Sequence, residues 1–122
     1  MILQAIRGAT TCMENSSVSI EKAVRELIAE LVKHNQLDPN QVISVIFSVT
    51  NDLDACFPAS IARQQIGWEK VALLDCQQMF VKGDLANCIR ILAHVYLPKD
   101  KIPQHIYLGK ASMLRPDRSM LD

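Results

Sequence analysis

Apolar residues recur most regularly between residues 20 and 31. Ile20, Ala23, Val24, Leu27, Ile28 and Leu31 follow at steps of three and four, with Glu21, Lys22, Arg25, Glu26 and Lys33 on the opposite side. That period predicts one amphipathic helix laid on a sheet. The serines just before it can cap its first turn, and Asn35 is placed to stop it. Elsewhere the apolar residues gather in short runs. VISVIFSV at 42–49 is β-branched and of strand length, which predicts a central strand, and VALLD at 71–75 predicts another. CIRILAHVYL at 88–97 fits both periods, but its β-branched content favours a strand, closed by Pro98. Residues 2–9 read as an opening strand that ends in a Gly-Ala-Thr-Thr turn, and HIYLGKASML at 105–114 as a last extended stretch before a tail at Arg115-Pro116.

Punctuation fits between these runs. Asp38-Pro39-Asn40-Gln41 has the form of a capping box with proline at the first helical position. Residues 50–57 predict a loop, Pro58 opens a short helix expected to end at Gly67, and Gly83-Asp84 breaks the chain before residue 88. Strands alternating with helices predict a mixed α/β (α+β) domain with one long helix and a mixed sheet. One such helix covers only one face of a four- or five-stranded sheet, so self-association through the other face is expected.

Composition narrows the partners. With 122 residues, no repeat and no linker, the expectation is one domain over residues 1–122. Thirteen Lys and Arg balance thirteen Asp and Glu, which disfavours a nucleic-acid or polybasic membrane binder. No apolar run reaches the roughly 18–20 residues of a membrane span. The start, MILQAIRGATT, lacks the basic and apolar regions of a signal peptide, so a cytoplasmic location is expected. Cys12, Cys56, Cys76 and Cys88 show no CxxC spacing and His34, His94 and His105 stand singly; buried reduced thiols are expected, with no metal.

The chain shows no Ser-His-Asp or nucleophile-elbow pattern, no Walker loop and no GxGxxG. Its arginines are more telling. Arg7 and Arg90 lie inside the apolar runs QAIRGA and NCIRIL. A buried guanidinium without a partner is costly, so each has an internal carboxylate, faces solvent on its strand, or binds an anion. Together with Arg63 and Arg115 they make a site for a small carboxylate or phosphate worth weighing.

IRGATT at 6–11, FPA-x-x-x-R at 57–63, GW at 67–68, Gln77 with Met79, Gly83, CIR at 88–90 and LRPD ending at Asp117 resemble, in this order, the monofunctional trimeric chorismate mutases of the mixed α/β class. The resemblance implies a homotrimeric pseudo-α/β barrel with active sites between subunits, no cofactor, and conversion of chorismate into prephenate on the route to phenylalanine and tyrosine. That [3,3] rearrangement breaks an ether C–O bond while forming a C–C bond, and it needs neither nucleophile nor metal.

The resemblance also implies roles. Arg90 faces the ether oxygen and a substrate carboxylate; Arg7 and Tyr107 hold the enolpyruvyl carboxylate. Phe57, Ala59 and Arg63 come from the neighbouring subunit, Leu73, Leu74 and Leu114 line the cleft, and Arg115 belongs to a closing C-terminal segment. Three positions depart from the pattern: Ser60 replaces a lysine, Asp75 a cysteine or small polar residue, and Gln78 a glutamate that bonds the ring hydroxyl. Read together, the last two suggest that Asp75 takes over the glutamate's role and Gln78 supplies a neutral contact. Residues 75 and 78 face opposite sides of a regular strand, so that exchange requires an irregular backbone. Two other functions compete: a trimeric carboxylate-binding module with weakened activity, and an imine/enamine deaminase of similar architecture.

Overall fold

A computed structural model describes residues 1–114. Five strands form one mixed sheet: β1 (Ile2–Thr11), β2 (Val42–Val49), β3 (Ala72–Gln77), β4 (Cys88–Leu97) and β5 (Ile106–Tyr107), in the order β3-β2-β4-β1-β5. β4 runs antiparallel to both β1 and β2, while β3 and β5 add parallel at the two edges. The helices are α1 (Ser17–Asn35) and the short α2 (Pro58–Ala62), with single turns of 3₁₀ helix at Pro39–Gln41 and Gly109–Met113.

α1 covers one face of this sheet. Its buried residues Ile20, Val24, Leu27, Ile28 and Leu31 meet Ile6 of β1, Val45 and Phe47 of β2, and Ile89, Ile91, Ala93 and Val95 of β4 in one cluster. Burying each large aliphatic side chain is worth about 1.5–3 kcal/mol, so this layer dominates the stability. Among the described residues no α-helix packs on the opposite face, where the Gly109–Met113 turn covers Ala9 and Tyr107; Leu3, Leu74 and Tyr96 are exposed.

The structure moves several predicted boundaries. β1 continues through the expected Gly-Ala-Thr-Thr turn, because Thr10 and Thr11 still pair with Ile89 and Cys88. β3 runs two residues past Asp75, held by β2 to Val49↔Gln77. α2 stops at Ala62, and residues 63–68 descend in successive turns rather than one helix. The expected extended stretch at 105–114 is only two paired residues followed by a 3₁₀ turn, since Gly109 adopts φ +55° against Thr11.

α1 ends at Asn35, as expected, but Asn35 does not supply the left-handed cap. Gln36 takes the left-handed conformation at φ 51°, ψ 49° and closes the helix with its backbone N–H. Asn35 is wholly buried instead: Nδ2 donates to the carbonyls of Leu31 and Gln104, and Oδ1 accepts from the Gln104 N–H at 2.7 Å. It thereby anchors the segment that delivers β5.

Gly8 decides how close β5 can come. A Cβ there would lie 2.7 Å from the Ile106 carbonyl oxygen and 3.0 Å from Ile91 Cγ2. Gly8→Ala is therefore expected to lower stability by about 1–3 kcal/mol through overpacking, measured by urea unfolding, with β5 the element displaced.

Candidate active site

Alternation along the strands assembles the site on the face that α1 leaves bare. Ser48 and Ala9 flank Arg90 in the sheet, Ile46 and Arg7 flank Leu92, and Ala9 pairs on its other side with Tyr107. These side chains line a cleft of about 430 Å³ with Arg7, Ile46, Ser48, Arg90, Tyr107 and Leu114 among its walls. That volume falls within the range of small-molecule sites. Tyr107 is almost fully buried, packed with Ala9, Cys88, Ala111 and Leu114. The Arg7 backbone N–H donates to His105 Nδ1 at 2.9 Å, which fixes β1 against the start of β5.

The two strand arginines differ in their partners. Arg7 is exposed in the cleft and has no ion-pair partner among the described residues. Arg90 is half-buried, with Nη2 3.6 Å from Asp84 Oδ2, beyond hydrogen-bonding distance, and its Nε is buried without a hydrogen-bond partner. Loose pairing leaves both guanidinium groups with unused donors. Two such forks in one cleft suit a small dianion, because a guanidinium matches a carboxylate bidentately.

Gln78 lies beside Arg90's counter-ion. Its backbone N–H continues the pairing with Val49 O beyond β3, and Nε2 donates to Asp84 Oδ2 at 2.8 Å. Asp75 is elsewhere. β3 is regular to Gln77, so Asp75 points to the α2 side, where Oδ1 accepts the Ala59 N–H at 3.0 Å. The irregular backbone that would bring Asp75 to Gln78 is absent; the carboxylate meeting Gln78 and Arg90 within the protomer is Asp84's. Nothing in the spacing singled out Asp84, and the Gly83-Asp84 break was its one trace in the sequence.

The other expected site residues divide. Leu114 lines the arginine cleft, and Leu74, on edge strand β3 opposite Ile46, is exposed on the same side of the sheet. Leu73 packs against the core on the side where α2 meets β3, rather than lining the cleft, as strand alternation dictates. Phe57, Ser60 and Asp75 border a separate hollow of about 670 Å³. Phe57 is 69% exposed, Ala59 is buried in α2, and Arg63, exposed at the end of α2, attracts the Asp75 carboxylate. None of Phe57, Ala59 or Arg63 reaches Arg90 within one protomer. Arg115 lies outside the described residues.

Cys12, Cys56 and Cys88 are poor nucleophiles. Burial pushes Cys12 up to about 11 and raises Cys56 and Cys88, the latter partly offset by the Arg90 guanidinium beside it. All four cysteines are free; contrary to the expectation that all would be buried, Cys76 is exposed and Cys56 only partly buried. Among the described residues no three His, Cys, Asp or Glu side chains gather as a metal site.

Fold and cleft thus define a mixed α+β protein with an arginine-lined pocket for a small dicarboxylate. Residues 3–118 match the family model of chorismate mutase type I, and the chain belongs to that family. It is 37% identical to chorismate mutase AroH of Bacillus subtilis (strain 168), over 98% of this chain and 95% of that one. It is 40% identical to chorismate mutase AroH of Thermus thermophilus, over 95% and 96% of the two chains. The structure superposes on a chorismate mutase from Clostridium thermocellum with a TM-score of 0.85 at 42% identity, covering 90% of this chain and 98% of that one.

Desolvation raises the Asp75 carboxyl above its ordinary range, against the lowering pull of the Ala59 N–H and Arg63. An acid with a raised folded pKa stabilises the fold when protonated, and that contribution is lost as pH rises through the folded pKa. Asp75→Asn keeps an oxygen for the Ala59 N–H. It is therefore expected to melt no lower than the wild type near neutral pH, with any advantage closing toward pH 3.8; thermal melts at the two pH values check this.

Proposed function

We propose that this protein is a chorismate mutase that rearranges chorismate to prephenate in the arginine cleft. The observation that carries this reading is the meeting of Arg7, Arg90 and Tyr107 in one pocket where neither guanidinium is tightly paired. No proton transfer or covalent intermediate is required, which accords with a cleft whose described walls carry no carboxylate, imidazole or thiol. The site instead holds a flexible dicarboxylate in a compact, chair-like geometry, a positioning effect. As the ether C–O bond breaks, negative charge grows on its oxygen. Arg90, fixed in a half-buried position on the middle strand, meets that charge with little reorganisation, so it binds the transition state more strongly than the ground state. Arg7 and Tyr107 hold the enolpyruvyl carboxylate.

The active assembly is a homotrimer with sites between subunits. The apolar face bearing Leu3, Leu74 and Tyr96 and the projecting Phe57 ring support this, since both leave apolar area exposed in a lone protomer. Phe57, Ala59, Arg63 and Leu74 then enter the neighbour's cleft from the α2 and β3 edge. Leu114 lies on the cleft wall. Ser60 leaves that edge without a lysine and weakens the long-range pull on the dianion. Four free thiols suit a reducing compartment, the cytoplasm.

The test is chorismate disappearance followed by absorbance. The wild type is expected to turn over, and Arg90→Ala to lose at least about 10²–10³ in kcat, the usual cost of removing a transition-state donor. Binding without turnover would favour a carboxylate-binding module, and ammonia release from an amino-acid-derived enamine a deaminase. Sedimentation equilibrium is expected to return three chain masses; a monomer with full activity would overturn the interfacial site.

A further inference from the structure

Gln78, Asp84 and Arg90 form a chain of contacts that the described mechanism does not use. Asp84 sits in a tight turn, its N–H donating to Val81 O at 3.1 Å and neighbouring Gly83 at φ +82°. Its carboxylate is divided. Oδ1 accepts the Leu85 N–H at 2.7 Å; Oδ2 accepts Gln78 Nε2 at 2.8 Å and faces Arg90 Nη2 at 3.6 Å. An ionised carboxylate only accepts hydrogen bonds, so the end of the Gln78 amide that faces Asp84 is necessarily its NH₂ group. The opposite end, Oε1, is buried with no donor in reach. A buried acceptor left unsatisfied is costly, and a hydroxyl arriving from a ligand would relieve it.

We propose that Asp84 is a positioning residue of the active site: it turns the Gln78 carbonyl toward a substrate hydroxyl and holds the Arg90 guanidinium toward the breaking ether bond. This rests on the chorismate mutase reading. Asp84 acts through its two neighbours rather than by touching the reacting atoms. Its negative charge also lowers the positive potential at Arg90, so it helps orient the cation while opposing a dianionic ligand. Orientation and attraction therefore respond in opposite directions when the charge is removed, whereas a turn-capping role alone moves neither.

Asp84→Asn preserves size and an acceptor for Leu85 but removes the charge and the unambiguous orientation of Gln78. Its kcat is expected to fall at least about tenfold while KM stays level or drops, the split that marks loss of a transition-state interaction. Gln78→Glu sets two carboxylates in contact and is expected to lose a similar factor, through like-charge repulsion. Gln78→Glu combined with Asp84→Asn exchanges amide and carboxylate between the two positions, and should recover activity to within about threefold of wild type, a strongly non-additive cycle. Glu21→Gln on the far side of α1 serves as the unaffected control, and melting curves confirm folding of each variant. If the wild type turns over chorismate and Asp84→Asn keeps its kcat, or the double variant merely adds the two losses, the proposal is overturned. If the wild type itself shows no turnover, the functional reading fails instead.

Discussion

Everything in this molecule hangs on β4 pairing along both of its edges. Cys88–Leu97 is hydrogen-bonded to β1 on one side and β2 on the other, so its side chains must serve two faces at once. Ile89, Ile91, Ala93, Val95 and Leu97 go under α1, and the intervening positions are forced to the opposite face. The Arg90 backbone is therefore held at the middle of the sheet by ten residues of pairing, with Asp84 facing its guanidinium at 3.6 Å. A cation placed that way needs little reorganisation when charge develops beside it, which is what electrostatic catalysis requires.

The same constraint explains why a protein with no formal net charge can attract a small dianion. Acidic residues are plentiful but lie elsewhere: Glu21 and Glu30 pair with Arg25 and His34 on the exposed side of α1, and Asp75 is turned toward α2. Among the described residues only Asp84 approaches Arg90, and at 3.6 Å it tempers the guanidinium without occupying its donors. A tight bidentate pair there would fill the site with the protein's own carboxylate. The loose geometry keeps the charge partly compensated and the donors open.

The open face links the cleft to assembly. A sheet with one apolar layer beneath α1 and a second, half-exposed face of Ile46, Leu92 and Tyr96 interrupted by arginines is poorly suited to remain solvated. Its polar patch suits a ligand and its apolar margin another copy of the chain. Phe57 and Ser60 border a hollow separate from the arginine cleft. Joining the two hollows is what a subunit interface would accomplish.

The sequence by itself determined the helix from Ile20 to Leu31, the four principal strands and the oddity of arginines at Arg7 and Arg90, because periodicity and burial cost are properties of neighbouring residues. Ordered similarity along the chain carried the family and its expected site. Tertiary structure decided what depends on distance between elements. Asn35, the last residue of α1, became an anchor for Gln104 rather than the left-handed cap, because burial left its amide facing a backbone segment 69 residues away. Leu73 went to the core by register. The carboxylate beside Gln78 came from Asp84 rather than Asp75, since strand parity separates 75 from 78 while the turn at Gly83 folds 84 back. Alternation can be counted along a chain; where a turn returns a side chain cannot, and that return set the charge beside Arg90.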